Sequence, residues 1–183
     1  MEKLTALFTK RKIRRNALVA VFCQTIYEVV EKVFPELADF LNNQKHFQKS
    51  PEIKTEDQEA FTYLIFAANI LKLYNHFPQE KADDLKLLII HEIAERFSRR
   101  DMQVAEEIIV EYEKYLSDLL KTSQNLTKAL ALAVFFKFNL NECQHEHYQK
   151  LNQPDPVFFK QLCDLLELLF WNWDDFLNRY RVV

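Results

Sequence analysis

Apolar positions recur along most of the chain at intervals of three and four residues, the spacing that places side chains on one face of an α-helix. Residues 16–34 form the first such segment, with a polar face opposite the apolar one. The apolar face consists of Leu18, Val19, Phe22, Ile26, Val29, Val30 and Val33. This pattern predicts a helix capped by Asn16, followed by a second, short helix from Pro35 to about Asn42.

Two segments are apolar on nearly every side, a pattern typical of helices surrounded by protein. The first spans about residues 55–77 and begins with the capping-box pair Thr55 and Gln58. The second spans about residues 126–148 and follows Asn125, a predicted N-cap. We expect both helices to lie at the centre of the fold.

Three amphipathic segments complete the pattern. Residues 82–99 and 101–121 each have an apolar stripe opposite a charged face, and we expect Asp101 to cap the second of these helices. Asp155 is the predicted N-cap of a last helix over residues 156–180, which starts with proline.

These segments predict an all-α fold, a single-domain orthogonal or up-down bundle of six to seven helices over residues 16–183. Residues 1–15 are expected to form a basic arm or a short helix before it. The chain of 183 residues contains no glycine, where average usage would give roughly a dozen. Without glycine, a Walker phosphate loop, a dinucleotide fingerprint and a nucleophile elbow are excluded. Any function is therefore expected to use side chains on helix faces.

Helix ends that need a left-handed residue must use another residue type in a chain without glycine. Asparagine tolerates this conformation better than most residues. We therefore expect positive φ angles among Asn43, Asn75, Asn125 and Asn152.

Cysteine content and hydropathy predict a soluble, cytoplasmic protein. Cys23, Cys143 and Cys163 are odd in number and no secretory signal precedes them, which favours a reducing compartment. An arginine-rich transit peptide is the alternative for residues 1–15. The longest uncharged stretches are well below the roughly 18 residues needed to span a bilayer.

Two clusters contain residue types that bind metals. His91 and Glu95 share a predicted helix face, but the second histidine of a metalloprotease helix is missing, so an exposed ion pair is favoured. Cys143 and His147, four residues apart, would share a face and could bind zinc, with His145 between them. The alternative is that these histidines face water near a helix C-terminus. No cofactor is implied by the sequence.

A polar stripe on the apolar segment of residues 55–77 is the candidate for a ligand pocket. If it lines a cavity, its members could orient a ligand. The alternative is that the stripe simply reaches solvent. The pocket candidates are Asn69, Lys72 and His76.

Charge is distributed unevenly along the chain. Residues 1–15 contain six basic residues and one acidic residue, whereas residues 16–183 contain 18 basic and 26 acidic residues. The basic segment could contact a nucleic acid or an anionic membrane, dock on the acidic body of the same or another subunit, or form a solvated arm. The basic candidates for partner binding are Lys10, Arg11, Lys12, Arg14 and Arg15.

Trp171 falls outside the leucine stripe of the last predicted helix, on the same side as Asp164 and Glu167. An exposed tryptophan flanked by acids would anchor a protein partner. The alternative is that another element of the same chain covers it.

No nucleophile with an identifiable base can be recognised from spacing, so the sequence favours a non-enzymatic interaction or regulatory protein that self-associates through helix faces. The alternative is a helical ligand-binding protein or metal-assisted enzyme with a site between helices. A further alternative is contact with an anionic partner through the basic segment.

Overall fold

The computed structural model describes residues 10–96 and 102–183, and these form an all-α bundle, which confirms the predicted fold class. Eight α-helices lie in the described residues: α1 Arg15–Asn42, α2 Gln58–Leu73, α3 Gln79–Arg96, α4 Met102–Ser123, α5 Leu126–Lys137, α6 Glu146–Leu151, α7 Pro156–Glu167 and α8 Trp173–Arg179. Short 3₁₀ turns cover Thr55–Asp57 and Leu140–Cys143. The predicted N-cap Asp101 lies outside the described residues. Within those ranges, no helix has the length and apolarity required to cross a membrane.

The predicted central helices are indeed the most buried ones. Every residue from 63 to 70 in α2 is buried, and α2 packs against α1, α4 and α5. Helix α5 is buried from Ala129 to Phe135 except at Leu132. The predicted capping-box pair of Thr55 and Gln58 is wrong, because the N-cap is Lys54 and its backbone N–H donates to the side chain of Asp57 (2.8 Å), one residue earlier than predicted.

Helix α1 continues through Pro35, where two helices were predicted, and its N-cap is Arg14 instead of Asn16. Proline inside a helix costs roughly 3 kcal/mol because a backbone hydrogen bond is lost. Leu37 and Leu41 follow Pro35 in phase with the buried face and are themselves buried. Burial of two leucines contributes about 3–6 kcal/mol, which offsets that cost.

The second central helix ends at Lys137, eleven residues before the predicted end at residue 148. Asn139 takes the left-handed conformation (φ 52°) and stops the helix. Positive φ was expected among four asparagines, and Asn152 has it (φ 50°), which confirms the prediction, whereas Asn43, Asn75 and Asn125 do not. Asn125 acts instead as the predicted N-cap, because its side chain accepts from the backbone N–H of Lys128 (2.9 Å).

The last predicted helix is two helices, α7 and α8, separated by residues 168–172. Asp155 caps α7 as predicted, since its side chain accepts from the backbone N–H groups of Val157 (2.9 Å) and Phe158 (3.0 Å). The helix was predicted to continue because the leucine spacing does not change at its end.

Two short strands, β1 (Arg11–Ile13) and β2 (Tyr180–Val182), pair in parallel. Arg11 lies opposite Tyr180, and the backbone N–H of Val183 donates to the carbonyl of Ile13 (2.9 Å). Periodicity cannot be recognised over three residues, so this sheet was not predicted. The described part of the basic segment is therefore attached to the last strand of the chain, β2.

Candidate functional site

Asn69, a predicted pocket residue, is fully buried, and its side chain forms hydrogen bonds with backbone groups of the chain. Its side-chain amide nitrogen donates to the carbonyls of Ile65 (2.9 Å) and Leu169 (3.1 Å). Its side-chain oxygen accepts from the backbone N–H of Trp171 (2.7 Å). Asn69 thus satisfies polar groups in the break between α7 and α8, instead of lining the cleft that the other two predicted pocket residues share.

Lys72 and His76 line a cleft of about 380 Å³ between the C-terminal end of α2 and the break between α7 and α8. The ammonium group of Lys72 lies 5.0 Å from the centre of the Phe170 ring, a cation–π contact. His76 Nδ1 lies 3.5 Å from a carboxylate oxygen of Asp174. Glu167 also lines the cleft, so two basic and two acidic side chains surround it.

The cleft also contains aromatic surface and uncharged polar groups. Trp173 is one of its lining residues, and the indole N–H of this buried side chain has no hydrogen-bond partner among the described residues. Thr127 and Asn172 add a hydroxyl and an amide. The described lining residues include neither serine nor cysteine.

Trp171 lies in the break between α7 and α8 and belongs to an aromatic cluster. Its ring centre is 5.6 Å from those of Phe22 and Phe176 and 6.0 Å from that of Trp173. The helix face on which Trp171 was expected to stand beside acids does not form, because α7 ends at Glu167. The side chain is half-buried, and contact with a partner stays a prediction.

The predicted metal ligands lie in separate elements. Cys143 is buried in a 3₁₀ turn, where burial raises the pKa of its thiol, and His147 is exposed on α6. His145 caps α6, with its Nδ1 accepting from the backbone N–H of His147 (3.5 Å). The expected shared helix face is absent because Gln144 has an extended backbone. In the part of the chain that the structure describes, no three His, Cys, Asp or Glu side chains come together to hold a metal.

His91 and Glu95 lie on α3 with both side chains more than half exposed. The distance between His91 Nδ1 and a carboxylate oxygen of Glu95 is 3.6 Å. This arrangement agrees with the exposed ion pair that the sequence favoured.

The basic segment makes several contacts with the bundle. The ammonium group of Lys10 donates to the carbonyl of Leu177 (2.6 Å), and Arg15 pairs with Asp84 on α3 (2.8 Å). Lys12 and Arg14 are exposed. The segment therefore presents only some of its positive charges to solvent.

A groove of about 220 Å³ between α1 and α7 was not predicted. Its apolar lining consists of Val33, Leu37, Phe40, Leu165, Leu166 and Leu169, and Glu36 is the one charged residue that lines it. Leu168, just after α7, is 77% exposed. The sequence held a signal for this surface, since residues 165–169 contain one leucine more than the inward stripe needs.

The cleft, the groove and the two-stranded sheet are three surfaces of different chemistry: mixed charge, apolar and basic. Each is built from residues of distant segments of the chain. Comparison with known proteins finds no family model, no curated protein and no solved structure that matches this chain.

Proposed function

We propose that the protein is a non-enzymatic interaction protein that self-associates through the groove between α1 and α7. One observation supports this most: Leu168, which is 77% exposed, is the sequence neighbour of Leu169, a lining residue of the apolar groove. A two-fold dimer uses the same patch on both subunits, so the patch must be complementary to itself. The occupant of the groove is then Leu168 of a second copy.

The size of the groove favours a side chain as the occupant. Small-molecule pockets have volumes of about 300–1,000 Å³, whereas this groove has about 220 Å³. Burial of one leucine contributes about 1.5–3 kcal/mol, and symmetry doubles this to about 3–6 kcal/mol. That free energy corresponds to a dissociation constant no tighter than roughly tens of micromolar, so we expect a weak and reversible dimer.

Sedimentation velocity at protein concentrations from about 5 to 500 µM, a range around the tight limit of that estimate, tests the proposal. The wild type is expected to sediment faster as concentration rises, and Leu168→Glu is expected to stay monomeric because a charge would enter the apolar groove. Leu151→Glu is the matched control, since Leu151 on α6 is also exposed (52%) and lies outside the groove. A wild type that is monomeric throughout, or equal dissociation of both variants, contradicts the proposal.

A second candidate function, binding of a small molecule, is favoured by the cleft at Lys72 and His76. Its volume of about 380 Å³ lies within the range of ligand pockets. Basic, acidic and aromatic side chains converge there, which suits a zwitterion with an aromatic ring. Lys72 would hold the carboxylate, Glu167 the ammonium group, and Phe170 the ring.

Thermal unfolding with phenylalanine as the probe tests this second candidate. Phenylalanine is expected to raise the Tm of the wild type, and phenylpropionate, which lacks the ammonium group, to raise it less. Lys72→Gln should remove the effect, whereas Lys114→Gln, an exposed position on α4 outside the cleft, should keep it. An unchanged Tm with phenylalanine rules out this ligand class.

A further inference from the structure

We propose that the two-stranded sheet β1–β2 is a binding site for the phosphate backbone of a nucleic acid. Lys12 in β1 lies directly opposite Arg181 in β2. Both side chains are exposed, whereas their neighbour Val182 is buried. Since successive side chains of a strand point to opposite faces, Lys12 and Arg181 stand together on the outer face of the sheet. Their backbones are only about 4.8 Å apart.

This juxtaposition places like charges side by side without an ion-pair partner among the described residues. Like charges directly opposite each other destabilise a strand pair. The neighbouring cations Arg15 and Arg179 do have partners, Asp84 (2.8 Å) and Asp175 (2.9 Å). In contrast, Lys12, Arg181 and the exposed Arg14 form no ion pair with any described residue. A bound anion would remove the repulsion that the fold leaves in place.

The three cations form a short row along the sheet. Arg14 follows Lys12 by two residues and has an extended backbone, so it continues the outer face of β1. Two lysines hold the sheet to the bundle, through Lys10 to the carbonyl of Leu177 (2.6 Å) and Lys81 to the carbonyl of Val182 (3.3 Å). The row is therefore positioned before any ligand binds. Its positive charge is local, because the chain as a whole has a net charge of −3.

The chemistry of this face favours a phosphate chain over the other anionic partners. A membrane-binding surface combines cations with several inserted apolar side chains, whereas Ile13 and Val182 point away from the outer face and leave Val183 (52% exposed) as the apolar side chain beside Arg181 among the described residues. An acidic peptide could add to the edge of the sheet, but strands of three residues offer few backbone hydrogen bonds. Arginine and lysine contacts to successive phosphates need neither feature.

Fluorescence anisotropy with a labelled single-stranded RNA of mixed sequence tests the proposal. We expect the wild type to bind with a dissociation constant of about 10⁻⁴–10⁻⁶ M, as is typical of contacts with phosphates alone. The triple variant Lys12→Ala, Arg14→Ala, Arg181→Ala should bind at least tenfold more weakly. Its plot of log affinity against log salt should be less steep by about 2, because each lost contact contributes about 0.7.

A matched control removes the same amount of charge elsewhere. Lys45, Lys54 and Lys114 are exposed and lie outside the sheet, so their triple alanine variant should keep the wild-type salt dependence. The double variant Lys12→Arg, Arg181→Lys keeps both charges and should bind like the wild type, which separates charge from damage to the strands.

Three results would overturn the proposal: absence of RNA binding by the wild type at low salt, an equal loss in the control variant, or binding to phosphatidylserine vesicles without binding to RNA. The last result would identify a membrane surface as the partner. Leu168→Glu should leave RNA binding unchanged, so this proposal and self-association are tested independently.

Discussion

Asn69 and Trp171 are joined by a hydrogen bond of 2.7 Å across 102 residues of sequence, from the backbone N–H of the tryptophan to the side-chain oxygen of the asparagine. The same amide also donates to the carbonyl of Leu169 (3.1 Å). A helix that ends leaves backbone groups without partners, and in a buried place these need side chains. The side chain of Asn69 is the hydrogen-bond partner of two such backbone groups, and it thereby permits the chain to turn between α7 and α8.

Replacement of Asn69 by leucine should destabilise the protein strongly. The change leaves the N–H of Trp171 and the carbonyl of Leu169 buried without a partner, at a cost of about 1–3 kcal/mol for each group. Urea unfolding measures the loss, and tryptophan emission reports on the break itself. Asn178→Leu, an exposed position on α8, is the control and should change stability by less than about 0.5 kcal/mol. Equal stability of the two variants would contradict this role for Asn69.

Gln144, just after the 3₁₀ turn Leu140–Cys143, binds the segment between α6 and α7 in a similar way and is also fully buried. Its side-chain oxygen accepts from the backbone N–H of Asp155 (2.6 Å), and its nitrogen donates to the carbonyl of Gln153 (3.0 Å). We expect Gln144→Leu to lower the free energy of unfolding by about 2–4 kcal/mol, since both groups lose their partner. Gln161→Leu on the exposed face of α7 provides the comparison in chemical denaturation. A loss below that of the comparison would show that the network is dispensable.

Pro35→Ala is expected to stabilise the protein, because α1 is continuous at this position and Pro35 is exposed. Alanine restores the missing N–H and is the best helix former, a gain of up to about 3 kcal/mol. The gain is smaller where the surrounding helix has adapted to proline. A thermal unfolding curve shifted to lower temperature would mean that the packing of α1 depends on the proline.

Tyr74 predicts a dependence of stability on alkaline pH. Its hydroxyl donates to a carboxylate oxygen of Asp83 (2.7 Å), and burial first, then this hydrogen bond and the charge of Asp83, raise the pKa of Tyr74 well above its usual value. A raised pKa in the folded state gives stability that is present below the unfolded value of about 10 and is lost as the pH rises above it.

The measurement for Tyr74 is the free energy of unfolding at several pH values on both sides of about 10. The wild type should lose stability more steeply than Tyr74→Phe, which has no phenol to ionise. Asp83→Asn keeps an acceptor for the hydroxyl but removes the charge, so its slope should fall between the two. Identical slopes for wild type and Tyr74→Phe would refute the assignment.

The sequence predicted α2, α3 and α4 close to their observed bounds because each of these helices is long enough to show several apolar periods. The prediction failed where the end or the continuity of a helix depends on a residue that is distant in the sequence. The end of α7 requires Asn69, and the continuity of α1 through Pro35 depends on the burial of Leu37 and Leu41, neither of which local spacing can show. Helix α5 ends at Lys137, just before the left-handed residue Asn139, but nothing in the sequence distinguishes this asparagine from its neighbours.

The candidate sites were likewise predicted where their residues are close in sequence and missed where they are distant. Lys72 and His76 were identified together because both fall on one face of the predicted helix over residues 55–77, and they do line one cleft although α2 ends at Leu73. Asn69 belongs to the same predicted stripe, but its side chain forms hydrogen bonds with Leu169 and Trp171 and does not line the cleft. The basic row needs Arg181, which joins Lys12 only after the two ends of the described chain pair. Such sites require contacts across most of the sequence, and periodicity carries no information about them.

The parallel pairing of β1 and β2 has a mechanical consequence. A force that pulls the two ends of the chain apart acts along both strands in opposite directions, so it loads their hydrogen bonds in shear and all at once, instead of opening them one after another. The contact of Lys10 with Leu177 adds to this resistance. Tension would therefore reach the helices only after the hydrogen bonds between β1 and β2 have broken, so the two strands would protect the bundle against mechanical unfolding.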